Sequence, residues 1–245
     1  MAAAGPGLQV HRADRPRATI VMAHGVMSHA GWLAPLGRAL AARGVTAVAV
    51  DRPGSGLARD LPGAVDPKAW VDSLIDALPG HEAGPVALFG WCWGARPAIL
   101  AAEQAHVDHL VLAAPGLAMA PGIRARAAEL ASMEQDPLPL PFDVADFSDD
   151  AEIVARIRSD ELAWTGQPRA FLAPSRAVLD AALAALPRLS MPHTTILADR
   201  DRIVDNDAVT RLVTEGTIAR LPGGHAVVLE TPESVAERVA AAIAP

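Results

Sequence analysis

The sequence predicts an α/β fold, a mostly parallel sheet flanked by helices and interrupted once by a helical insertion. Three observations carry this. Six short apolar runs recur along the chain: Thr19–Ala23, Thr46–Val50, Val86–Phe89, Leu110–Ala113, Thr194–Ala198 and Ile218–Leu221. Several are apolar throughout, as strands buried on both faces are. Stretches of helical period lie between them. The rhythm stops between about Pro115 and Leu189, where no convincing strand is found.

Taken in order, Leu8–Val10 adds an antiparallel edge strand before the first run. Trp32, Leu33, Leu36 and Leu40 share one helical face, as do Val235, Val239, Ala242 and Ile243 near the C-terminus. Ala95–Ala105 is an alanine-rich helical stretch. Inside the interruption, helices are expected around 122–134, 150–163 and 175–186, with the proline-rich loop Asp136–Phe142 after the first. The chain reads as one domain, 1–245, with 116–190 as a helical cap over one edge of the sheet.

Composition narrows the function. A chain of 245 residues, 51% hydrophobic and 20% charged, can bury a sizeable core in one domain. A net charge of -7 without a basic cluster argues against nucleic acid as a partner. Met1 to Pro16 lacks the charged-then-apolar order of a signal peptide, and no apolar run spans a bilayer. One cysteine permits no internal disulfide, so the cytoplasm is the expected location. The scattered histidines form no metal-binding spacing, and no metal or other cofactor is expected.

The strongest local signal is Gly90-Trp91-Cys92-Trp93-Gly94, between an apolar strand and a helix. A strand-to-helix turn this sharp strains its central residue and needs tiny neighbours two positions away on each side. Both are glycine. Cys92 then sits at a helix start, where the dipole and free backbone donors favour a thiolate.

On these residues the chain resembles the α/β-hydrolase superfamily, over nearly its whole length. That resemblance implies a nucleophile elbow of the pattern Gly-x-Ser-x-Gly, with cysteine or aspartate also possible at its centre, followed by an acid and then a histidine. Thr195 to Val204 resembles the acid loop and Leu221 to His225 the histidine loop. The implied triad is Cys92, His225 and Asp201, with Asp199 and Asp205 as rival acids; Asp205 could equally cap a helix beginning near Asn206. The implied oxyanion hole uses the N–H groups of Trp93 and Val26, with Met27 as the other option. His24 and the turn Asp51–Gly56 take structural roles in this family. Ser28 and Ser55 sit in no elbow.

Within the superfamily the pattern is most similar to monoacylglycerol-lipase-like and lysophospholipase-like proteins, and it departs from them at the nucleophile, where they carry serine. The first expectation is therefore hydrolysis of an ester, thioester or lactone through acyl-Cys92, acting on a small acyl substrate that is free or carrier-bound. An acyltransferase or cyclase passing the acyl group to another nucleophile is the second, because a thioester is relatively more open to such attack. A non-hydrolytic isomerase or binding protein is the third. Met27, Trp93, Met133, Phe142 and Trp164, with Leu130, are the expected substrate contacts, for an apolar or aromatic acyl group. Of the two flanking tryptophans, Trp91 and Trp93, one should enter the pocket and the other the core. Pro97 is expected to kink its helix.

Overall fold

The structure is a computed structural model that describes residues 7–80 and 84–243; the first six residues of the stretch read for a signal peptide lie outside them. The chain runs β1 (Leu8–His11), β2 (Ala18–Ala23), α1 (Ala34–Ala42), β3 (Val45–Val50), α2 (Pro67–Ile75), β4 (Val86–Trp91), α3 (Ala95–Gln104) and β5 (His109–Ala113). It continues through α4 (Pro121–Ala131), β6 (Leu138–Pro139), α5 (Ala151–Arg158), β7 (Gly166–Gln167) and α6 (Leu172–Ala185). It ends with β8 (His193–Ala198), α7 (Asn206–Leu212), β9 (Thr217–Leu221), α8 (Val227–Glu230) and α9 (Pro232–Ile243).

Seven strands form one sheet in the order β1-β3-β2-β4-β5-β8-β9, with β1 antiparallel to β3 and the other pairings parallel. Successive side chains of a strand leave on opposite faces. In β2, Ile20 and Met22 pack with Trp32, Leu36, Leu40 and Val239 on one face, while Val21 packs with Leu74, Ala98 and Ile99 on the other. That is why β2 reads as apolar at every position. Of the face expected near the C-terminus, Val235, Val239 and Ile243 are buried and Ala242 is half-buried.

From β2 the chain moves outward to β3 and then returns past β2 to β4, so the strand order reverses between β2 and β4. A crevice outside the C-terminal ends of parallel strands opens at such a point. The loop after β2, which holds His24 to His29, therefore lies beside the turn after β4, which holds Cys92.

Residues 114–192 depart from expectation in strand content, helix bounds and the length of one apolar helical run. β6 and β7 pair antiparallel, although the stretch was expected to hold no strand and its proline-rich loop no packed element. Two-residue strands are too short to leave a period in the sequence. α4 and α5 are also shorter than the expected 122–134 and 150–163, and α6 begins earlier than 175. With its flanking turns, α6 forms a helical run, Arg169–Arg188, long and apolar enough to cross a membrane by length and composition alone. No such run was expected from the sequence. In the fold, residues from Phe171 to Leu179 of this run line a cavity described below.

The Asp51–Gly56 turn is structural, as expected. The buried Asp51 carboxylate accepts the N–H groups of Ala30 (2.6 Å) and Leu57 (2.8 Å). Gly56 has φ +52°, and a Cβ there would lie 2.5 Å from the Asp51 carboxylate oxygens. Asp51→Ala strands both donors and should lower stability by about 2–4 kcal/mol in urea denaturation. A loss under about 0.5 kcal/mol, the scale of an ordinary surface change, would contradict that role.

Candidate active site

β4 runs directly into Cys92, whose φ of +55° is a left-handed conformation that non-glycine residues rarely adopt. The glycines make it possible by close approach. A Cβ on Gly90 would lie 2.5 Å from Ala95 Cα, and one on Gly94 would lie 2.5 Å from the His24 carbonyl oxygen. The alternation of the strand then separates the two tryptophans. Trp91 is fully buried and its Nε1 donates to the His225 carbonyl (3.0 Å). Trp93 lines a cavity, and its Nε1 donates to Ser175 Oγ (2.8 Å). α3 is unbroken from Ala95 to Gln104, contrary to the expected kink. Pro97 lies in its first turn, where an N–H has no intrahelical acceptor to lose.

Asp201 and His225 meet at 2.9 Å (Oδ2 to Nδ1), both side chains fully buried. Asp201 Oδ1 also accepts the N–H groups of Ile203 and Val204, each at 2.9 Å. The rival acids do other work: Asp205 caps α7 through Ala208 N–H (2.9 Å), and Asp199 lies 3.9 Å from Arg220. The histidine loop is clamped from outside. Glu230 accepts Gly224 N–H (2.7 Å) and the Ser148 hydroxyl, while Ala226 N–H donates to the Phe147 carbonyl (2.8 Å). The His225 ring rests between Trp91 and Phe147, 6.0 and 5.1 Å between centroids.

Nε2 of His225 is buried and makes no oriented hydrogen bond, and the charged groups acting on the ring are Asp201 and Cys92. Burial opposes the imidazolium, but Asp201 and Cys92 outweigh it and push the ring up to about 10. Burial likewise opposes the thiolate. The His225 charge, contact with His225 and the Trp93 N–H outweigh that, and Cys92 titrates below an ordinary thiol. The two shifts describe one coupled pair, thiolate and imidazolium.

Val26 lines the same cavity, and the adjoining Gly25 is close enough that a Cβ on it would lie 3.6 Å from the Cys92 sulfur. Arg52 holds this loop: its Nη2 donates to the Val26 carbonyl (2.7 Å). The guanidinium is buried and stacked near Trp164 (4.4 Å), Trp93 (5.0 Å) and Phe171 (5.2 Å), so burial lowers it to about 9. His24 is buried and structural in its bonding, with Nδ1 on the Gly25 carbonyl (2.8 Å) and Nε2 accepting Arg52 N–H (3.2 Å). Burial pushes it well below an ordinary imidazole, so it stays neutral.

The cavity, about 510 Å³, is walled by Cys92, Val26 and Trp93 on the sheet side. Opposite stand residues of α4, of Leu140–Phe142 and of α6. Of the expected substrate contacts, Trp93 and Phe142 line it. Met27, Met133, Trp164 and Leu130 do not. Met27 is buried within the loop after β2, its carbonyl taken by Trp164 N–H, and the Trp164 ring bonds Gly54 and packs on Phe171. Met133 follows the end of α4 and is 42% exposed, while Leu130 is buried away from the cavity. Phe171, Ser175 and two buried arginines, Arg52 and Arg96, went unread in the sequence. Only Arg96 left a signal, falling one helical turn after Cys92. Among the described residues no group of three or more His, Cys, Asp or Glu could hold a metal ion.

Over residues 14–221 the sequence matches the family described as serine aminopeptidase S33. No curated protein matches it. Among solved structures, the monoacylglycerol lipase of Paleococcus ferrophilus superposes with a TM-score of 0.77 at 20% identity, covering 96% of this chain and 97% of that one. A soluble variant of monoglyceride lipase from Saccharomyces cerevisiae, in complex with a substrate analogue, gives 0.75 at 12%, covering 98% and 92%. The thioesterase domain from the curacin biosynthetic pathway gives 0.64 at 18%, covering 95% and 94%. The shared architecture is the α/β-hydrolase fold.

A lowered thiol pKa means that thiolate persists as pH falls. The rate of Cys92 alkylation by iodoacetamide should therefore rise with a midpoint below the roughly 8.5 of a free cysteine. In His225→Ala the counter-charge is gone and burial remains, so the midpoint should move up to or past that value. An ordinary midpoint in the wild-type protein would contradict the ion pair.

Proposed function

The chain belongs to the serine aminopeptidase S33 family of hydrolases, and from that premise we propose that it hydrolyses an ester, thioester or lactone through an acyl-Cys92 intermediate. One observation carries the reading: a strained, positive-φ thiol borders a largely apolar cavity and is electrostatically paired with a buried histidine held by an aspartate. The thiolate attacks the acyl carbonyl, and the oxyanion accepts the N–H groups of Trp93 and Val26. As the tetrahedral intermediate collapses, His225 Nε2 gives its proton to the departing alcohol or thiol. Nε2 then takes a proton from water, the hydroxide attacks the acyl carbon, and Cys92 leaves as thiolate. Asp201 orients the ring and stabilises its charge throughout.

The family description names serine, and the serines near this site are poor substitutes. Ser28 is buried beside His24, and Ser55 is buried in the Asp51–Gly56 turn. Ser175 Oγ already accepts from Trp93 and Arg96. Residues 116–190 act in this reading as a cap whose α4, Leu140–Phe142 and α6 exclude water. That apolar cover also favours a second reading, transfer of the acyl group to a nucleophile other than water.

Cys92→Ala should abolish turnover, and Cys92→Ser should lose most of it. His225→Ala should cost at least about 100-fold in kcat. Asp201→Asn should cost more than Asp199→Asn or Asp205→Asn. Steady-state kinetics on a simple thioester measure all of these, and retained turnover in Cys92→Ala would remove the covalent mechanism. Release of free acid supports hydrolysis; an acylated acceptor supports transfer.

A further inference from the structure

The chain carries a net charge of -7, yet the wall of the cavity beside Cys92 holds three arginines, Arg96, Arg124 and Arg176. The one acid in that wall, Asp205, is engaged as the cap of α7. Arg124 is exposed, and Arg176 is exposed and paired with Asp180 at 2.9 Å. Arg96 is different. It is 4% exposed and has no carboxylate within ion-pair distance among the described residues. Its Nε donates to the Gly116 carbonyl (2.9 Å) and its Nη1 to the Ser175 carbonyl (3.3 Å) and Oγ (3.1 Å). Among the described residues Nη2 has no partner.

Ser175 adds a second unmet donor. Its Oγ accepts from both Trp93 Nε1 and Arg96 Nη1, so its own proton is left without an acceptor among the described residues. A guanidinium without a carboxylate and two donors without a hydrogen-bond partner among the described residues thus share a cavity wall with Cys92. Buried guanidinium groups are ordinarily paired, because desolvation of an unpaired charge is costly. Burial lowers Arg96 to about 10, and the opposing charge that acts on it most is that of Cys92, which His225 already pairs.

We propose that the missing anion arrives with the substrate: Arg96 and Ser175 bind a carboxylate carried on the acyl group, so the preferred substrate is a monoester or monothioester of a dicarboxylic acid. This rests on Cys92 being the acylated atom. Arg96 stands one helical turn from Cys92, so the anion it binds lies a few bonds from the reacting carbonyl. A phosphate on a carrier arm, the other common source of such charge, would sit on the leaving-group side and farther out.

Two measurements separate this from the hydrolytic reading. The first is the ratio of Cys92 alkylation rates by iodoacetate and iodoacetamide. Any effect of Arg96 on thiolate content cancels in that ratio, so Arg96→Met should lower it by at least about tenfold, with Arg96→Lys in between. The second is kcat/KM on adipoyl- against hexanoyl-N-acetylcysteamine thioesters, expected to favour adipoyl at least about tenfold in the wild type and to lose that preference in Arg96→Met. If Arg96→Met does not fold, protection of wild-type Cys92 from iodoacetamide by glutarate but not glutaramide carries the same prediction. Unchanged ratios, or equal protection, overturn the anion site and leave the acyl mechanism standing. An altered alkylation ratio without any thioester turnover keeps the anion site and removes the acyl mechanism. A preference for hexanoyl-phosphopantetheine over hexanoyl-N-acetylcysteamine that depends on Arg96, without one for adipoyl, overturns the carboxylate in favour of phosphate.

Discussion

The left-handed backbone of Cys92 is the constraint on which the site depends. Holding a non-glycine residue there costs about 1–3 kcal/mol and persists only where the surroundings over-determine it. Here they do. β4 is hydrogen-bonded on both sides, to β2 and β5, and α3 must start at once to keep Gly90 against Ala95. Gly94 sits against the backbone of Ala23 and His24, so the same turn draws the loop after β2 to the sulfur. The strained residue, the helix start and the Val26 loop form a single packing problem with one solution.

Around that turn, a chain of charges sets the thiol. Asp201 is fixed by two backbone donors and in turn fixes His225, whose charge lowers the Cys92 thiol. Supports come from distant parts of the chain: Glu230 of α8, itself bonded by the Ser148 hydroxyl, and the Phe147 carbonyl grip the histidine loop, and Arg52 grips Val26. Phe147 and Ser148 belong to the stretch between β5 and β8. The segment that walls the cavity therefore also steadies His225.

The central strands β2, β4, β5 and β8 were legible because they are buried on both faces, which leaves uninterrupted apolar runs such as Thr19–Ala23. Even the edge strand Leu8–Val10 fell where β1 lies. Gly90 and Gly94 marked the elbow because only a tight backbone approach demands that spacing. What was not legible depends on contacts between segments far apart in sequence. β6 and β7 hold two residues each, below any period. Met133 and Trp164 look like pocket residues by type, yet one faces solvent and the other packs on Phe171 and Arg52. Arg52 is an ordinary arginine in the sequence and Arg96 is marked there only by its spacing from Cys92; their burial is revealed only by the fold.

In the proposed mechanism the acyl group passes through the sulfur of Cys92. Rapid quenching of the protein with a slowly hydrolysed activated thioester, followed by intact-mass and peptide mass spectrometry, tests it most directly. A single acyl addition is expected on the peptide containing Cys92, formed and lost at rates compatible with turnover and absent in Cys92→Ala. Turnover without such an adduct, or an adduct on a serine, would contradict it.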